Sequence, residues 1–227
     1  MLWNLEESCR MSKNILVVAA HPDDELLGIG GTILKHTQSG DHVRAVIMCE
    51  GESLRYAGDV GQSEATKKAA EILGVEKVYR LDYPDQKLDT YTLTELIAPL
   101  EKISEEFKPN IIYCQSGSDA NRDHKILFEA AGIAFRPLEK WTEEFYTFYT
   151  ASSTEWGYPR NFSPDTWIDI SDVLEQKIRA FECYTSEVRE YPHPRSSEAL
   201  RHQAHFWGNQ CCMDAAEVLT TIRRTIR

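Results

Sequence analysis

The chain has 227 residues, 42% hydrophobic and 27% charged, with a formal net charge of −11. That composition is ordinary for a globular enzyme and supports one substantial core, so residues 11–227 are read as one domain and residues 1–10, ahead of the second methionine Met11, as an N-terminal extension. The acidic balance disfavours nucleic acid and anionic membranes as general partners, no apolar run reaches the roughly 18 residues of a membrane span, and the polar start does not resemble a secretion signal.

Residues 14–20 (NILVVAA) predict a strand buried on both faces. A helix is expected from Gly30-Gly31 to about Ser39, closed by Gly40. Strands follow at 42–49, 76–81 and 110–114, with helices at 63–73, 92–107 and 123–135. This β-α alternation implies right-handed crossovers and a Rossmann-like, doubly wound, mostly parallel α/β sheet. Beyond Pro137 the pattern loosens into a C-terminal α+β elaboration, with strands expected at 145–150 and 166–170 and helices at 172–183 and from Ser196 to the end. The six cysteines show no CxxC spacing and read as reduced thiols of a cytoplasmic protein, with Cys49 and Cys114 in the core at strand ends.

The first strand runs into His21-Pro22-Asp23-Asp24-Glu25, one imidazole and three carboxylates in five residues. Such crowding is unfavourable without a cation or good solvation. In a doubly wound sheet of strand order 3-2-1-4-5, the first and fourth strands are neighbours and ligands bind between their carboxyl ends. That topology brings His21, Asp23 and Asp24 next to Asp123 and His124, which follow the fourth strand. His21, Asp24 and His124 would offer two nitrogens and an oxygen to a divalent ion and leave a position for water, as catalytic zinc sites do. Of Asp23 and Asp123, one is expected to act as general base and the other to orient a ligand histidine. The bland alternative is that the Asp-Asp pair merely caps a helix. A dinucleotide site is disfavoured, since Ile33 occupies the third glycine position of GxGxxG.

AHPDDE after the first strand, GG opening the helix and SDANRDH after the fourth strand resemble the PIG-L / LmbE-like N-deacetylases, as do ILGV at 72–75, YPDQKLD at 83–89 and HPRSSEAL at 193–200. The resemblance implies a zinc-dependent hydrolase that removes acetyl groups from N-acetylated sugars such as N-acetylglucosamine derivatives, with His21, Asp24 and His124 as ligands and Asp23 as base. Many relatives carry a histidine where this chain has Asn121, which can donate a hydrogen bond to an oxyanion but cannot supply a proton. His193, held between two prolines, is the alternative acid. Relatives also place an arginine near Gly61-Gln62; here Arg55 is the substitute, and Asp85 fits a position near the sugar hydroxyls. Trp156, Tyr158 and Trp207 suit either sugar stacking or core packing. The runner-up is a metal-dependent hydrolase of a non-sugar amide or ester. The expected partner is a small N-acetylated sugar, with homo-oligomerisation left open.

Overall fold

The computed structural model describes residues 11–51 and 61–226. The extension at 1–10, Cys9 and Arg55 lie outside the described residues.

A single seven-stranded sheet has the order β3-β2-β1-β4-β5-β7-β6. Strands β1 (Asn14–Ala19), β2 (His42–Cys49), β3 (Lys77–Tyr83), β4 (Ile111–Gln115) and β5 (Glu144–Phe148) are parallel. The helices α1 (Asp24–Gln38), α2 (Gln62–Leu73), α3 (Leu93–Phe107) and α4 (Arg122–Ala134) make the crossovers. Next come β6 (Thr166–Asp169), α5 (Leu174–Phe181), α6 (Ser197–Asn209) and β7 (Ala216–Arg224), with β7 antiparallel to both β5 and β6.

β1 shows why the apolar run is continuous. Its alternate side chains serve different layers: Ile15 and Val17 face α1, α2, α5 and α6, while Leu16 and Val18 face α3 and α4. The fold class expected from the sequence is the one observed. Cys49 and Cys114 are buried and unpaired, as read.

Two boundaries differ from the sequence reading by more than two residues. The last segment is not helical throughout: α6 stops at Asn209, and residues 216–224 form β7. Val218, Thr220, Thr221 and Ile222 are β-branched and fit a pleated strand better than a helix. The first helix begins six residues before Gly30, at Asp24, and breaks at Ile29 (φ −137°, ψ 26°). The glycines around this break serve close approach, since a Cβ on Gly28 would lie 2.2 Å from Phe148 Cδ2 and one on Gly31 2.6 Å from Ile170 Cγ2.

A buried ion pair services the broken helix. Lys177 Nζ lies 2.6 Å from Glu217 Oε1 and donates to the Leu27 carbonyl at 3.1 Å. Glu217 in turn accepts from Gly31 N at 2.8 Å and Thr32 N at 2.6 Å. Two elements from the C-terminal half thus bond to backbone groups at the bend in α1.

Candidate metal centre and acid–base site

The site lies where the topology puts it, between the carboxyl ends of β1 and β4, which pair in register from Ile15–Ile111 to Val18–Cys114. Gln115 at the end of β4 fixes the exit of β1 by accepting from Ala20 N at 2.6 Å.

His21, Asp24 and His124 are buried and converge. His21 Nδ1 is 3.2 Å from Asp24 Oδ2 and 3.3 Å from His124 Nε2. The third side, His124 Nε2 to Asp24 Oδ2, is 3.2 Å. Ligand atoms held roughly 2.0–2.1 Å from a tetrahedral ion are about 3.3 Å from one another. The triangle therefore has the dimensions of three tetrahedral ligands. Asp24 Oδ1 is buried without a hydrogen-bond partner, an acceptor that a cation would satisfy. The residues fit a divalent ion.

The far nitrogens of both imidazoles face carboxylates, the usual support of metal-bound histidines. His21 Nε2 is 3.1 Å from Asp123 Oδ2 and 3.0 Å from Asp85 Oδ1. His124 Nδ1 is 3.1 Å from Asp119 Oδ1. Asp119 is itself pinned by Asn121 N at 2.8 Å and by the hydroxyls of Ser153 and Thr154. Asp123 accepts from Leu88 N at 3.1 Å. A second trio, His21, Cys49 and Asp123, is also close enough for an ion. In the absence of an ion, burial pushes the Cys49 thiol up to about 11, and its Sγ lies 3.6 Å from Asp123 Oδ2.

The three consecutive carboxylates take three separate fates. Burial opposes the charge on Asp24, but His124 and His21 outweigh it and hold the acid well below the usual carboxylate range. Asp23 Oδ2 accepts from Arg195 Nη1 at 3.0 Å, and the same nitrogen lies 2.6 Å from Glu187 Oε2. Burial, with the nearby charges of Asp23 and Asp24, pushes Glu25 up to about 8, so it is largely neutral and takes the Tyr184 hydroxyl at 3.4 Å. One acid faces two imidazoles, one faces a guanidinium and one keeps its proton.

Asp23 is not a helix cap in the ordinary sense. It occupies the N-cap position with φ 96°, in the left-handed region, and its side chain makes no capping hydrogen bond. A non-glycine residue held there costs on the order of 1–3 kcal/mol. In exchange the carboxylate faces Arg195.

His193 shares the wall of a cleft of about 240 Å³ with Asn121, His124, Ser152 and Arg195. Its Nδ1 accepts from Arg195 N at 3.0 Å, so the neutral ring carries its proton on Nε2. Burial, then the charges of Arg195 and Arg189, lower its pKa below the ordinary 6.5. These surroundings favour the neutral ring over the cation. Asn121 spends Oδ1 on Asp123 N at 2.9 Å as the cap of α4, leaving Nδ2 as its donor. Asp85, expected beside sugar hydroxyls, is fully buried with Oδ1 3.0 Å from His21 Nε2. Arg55 lies outside the described residues. Trp207 is taken up by packing against Tyr149 and Phe206.

Asp119 and Arg195 were missed as site residues, although both fall inside quoted motifs. The signal for Asp119 is the DxxxDH spacing across the turn into α4; no local signal pairs Arg195 with Asp23, 172 positions away.

Comparison with known proteins shows the family and the fold. Residues 16–135 match the PIG-L family model, described as GlcNAc-PI de-N-acetylase. The chain is 30% identical over 202 residues to a diacetylchitobiose deacetylase of Thermococcus kodakarensis, covering 83% of this chain and 75% of that protein. It is 29% identical to a 4-oxalmesaconate hydratase of Pseudomonas putida, covering 77% and 74%. The fold is shared with the crystal structure of N,N'-diacetylchitobiose deacetylase from Pyrococcus horikoshii, with a TM-score of 0.77, 23% identity and 93% and 84% coverage. No helix among the described residues is long and apolar enough to cross a membrane. With a model match over more than half its length and a relative at 30% identity, this chain belongs to the PIG-L family, described as GlcNAc-PI de-N-acetylase.

Proposed function

We propose that the protein is a zinc-dependent hydrolase that removes the acetyl group from an N-acetylated sugar. The observation that carries this reading is the triangle of His21 Nδ1, Asp24 Oδ2 and His124 Nε2 beside the Arg195-bound carboxylate of Asp23. Two imidazoles and one carboxylate suit zinc, which when bound lowers the pKa of its water from about 15.7 towards 7 and polarises an amide carbonyl.

The chain's own groups divide the remaining work. Asp23 accepts the proton of the attacking water and returns it to the departing amine. Arg195 fixes that carboxylate and offsets its charge. Asn121 Nδ2 and the Nε2–H of His193 serve as donors to the carbonyl oxygen as it gains charge. Asp85 and Asp123 orient His21, and Asp119 orients His124.

The test is free-amine release from N-acetylglucosamine and N,N'-diacetylchitobiose by the zinc-loaded chain. Asp23→Asn should keep one metal per chain and lose turnover, whereas His21→Ala and Asp24→Ala should lose the metal. Near-normal rates in Asp23→Asn would remove the base assignment. A second reading, addition of water to a carbon–carbon double bond, is motivated by the Pseudomonas relative. Hydration of 4-oxalmesaconate without amine release from either sugar would favour it.

A further inference from the structure

The cleft beside His124 measures about 240 Å³ among the described residues, below the roughly 300–1,000 Å³ of ligand pockets in general. It suits one sugar ring with its acetamide. Anything longer has to pass over the rim, and the rim carries an aromatic side chain that the fold leaves in water.

Trp156 is 49% exposed. Its ring centroid lies 6.2 Å from that of His193, with the planes at 88°, so its edge-on neighbour is itself a wall of the cleft. The backbone beneath it is unusually well fixed for a loop. Glu155 accepts from Ser152 N at 2.7 Å and Ser153 N at 3.1 Å. Thr154 Oγ1 accepts from Thr150 N at 2.8 Å and donates to Asp119 Oδ2 at 2.8 Å. Gly157 packs so closely on the preceding metal loop that a Cβ there would sit 2.9 Å from the Ser118 carbonyl. The turn bearing Trp156 is thus bonded to the same carboxylate that faces His124.

A single exposed hydrophobic residue is normal on a protein surface. An exposed indole carried on a well-bonded turn and set edge-on against the cleft wall is suited to binding, because the backbone beneath it is ordered before any ligand arrives. A pyranose offers such a face its axial C–H groups while its hydroxyl edge stays with polar neighbours, and the cleft supplies the charged Arg189.

We propose that Trp156 is a stacking platform for a second pyranose ring, so that the substrate is an N-acetylated oligosaccharide of at least two sugars. The proposal rests on the deacetylase reading above and refines its substrate class. Trp156 does not touch the reacting atoms; it determines specificity for length.

The experiment measures amine release by the zinc-loaded chain from N-acetylglucosamine and from N,N'-diacetylchitobiose. Trp156→Ala should raise KM for the disaccharide about tenfold with kcat within about twofold, and leave the monosaccharide kinetics within about twofold. Trp156→Phe should restore most of the loss. In zinc-loaded Asp23→Asn, titration with the disaccharide should change tryptophan emission, and adding Trp156→Phe should abolish that change. An unchanged disaccharide KM in Trp156→Ala, or equal weakening of both sugars, overturns the proposal. If the wild-type chain releases amine from neither sugar, the deacetylase reading falls. The emission titration then decides the platform alone: a change lost in Trp156→Phe upholds it, and no change overturns it.

Discussion

Arg195 Nη1 stands 3.0 Å from Asp23 Oδ2, a cation from α6's approach loop set against a carboxylate from the turn that ends β1. The guanidinium also spans to Glu187 and donates from Nε to Ser152 Oγ at 2.7 Å. Three segments meet on one side chain, and the proposed base is its central partner.

Arg195→Met keeps much of the apolar stem but removes the guanidinium that lies 3.0 Å from Asp23 Oδ2 and 2.6 Å from Glu187 Oε2. Breaking a buried pair from one side costs about 3–5 kcal/mol. A lowered urea midpoint is expected, together with a fall in kcat/KM on the order of 10²-fold as the base loses its fixed orientation. Denaturant titration and steady-state kinetics check it; normal stability would show that the pair is dispensable.

Metal loading should depend on pH in a defined direction. Burial opposes charge on His21 and His124, but their carboxylate partners outweigh it and raise both pKa values above the ordinary 6.5 in the metal-free chain. Ligand imidazoles must be neutral, so uptake expels protons. Apparent affinity should therefore climb as pH rises above 6.5, and dialysis at pH 5.5 should strip metal that is retained at pH 8. Equal retention at both would contradict the raised values.

Glu25 makes a stability prediction. Its pKa rises from 4.5 to about 8 on folding, so the native state keeps a proton that the unfolded chain releases. The contribution is complete below pH 4.5 and disappears as pH rises to about 8. Glu25→Gln, already neutral, should match the parent below pH 4.5 and exceed it in melting temperature near pH 8. Bound metal should shrink the difference, since a positive centre favours the ionised acid.

The Lys177–Glu217 pair should behave unlike ion pairs that can be replaced by apolar side chains. Lys177→Met strands a buried carboxylate, at about 3–5 kcal/mol. Replacing both with Met should be no gentler, because Gly31 N and Thr32 N then lose their acceptor. A double-mutant cycle in urea measures this, and a near-neutral double variant would count against it.

The parallel half of the fold is legible because its signals are local. Val17 and Val18 announce a strand with two buried faces, and Gly40 and Gly74 mark where helices stop. The end of the chain was misread because Ala215, Ala216, Glu217 and Leu219 favour a helix one residue at a time, while pairing with β5 and β6 decides for a strand. The convergence of His21, Asp24 and His124 could be anticipated because strand order alone makes neighbours of their loops. Partners chosen by three-dimensional packing left no such trace. Asp85 reads as an exposed turn residue until the approach of His21 buries it, and nothing near Arg195 in the sequence points to Asp23.

The bend in α1 has a bearing on how the protein is made. Glu217, which takes two amides of that bend, is synthesised 186 residues after Gly31. On the ribosome, the histidine and aspartates at positions 21–24 emerge early onto a helix whose brace does not yet exist. A nascent chain stalled before β7 clears the exit tunnel lacks the acceptor for Gly31 N and Thr32 N, so the bend gains its brace only when the last strand is released.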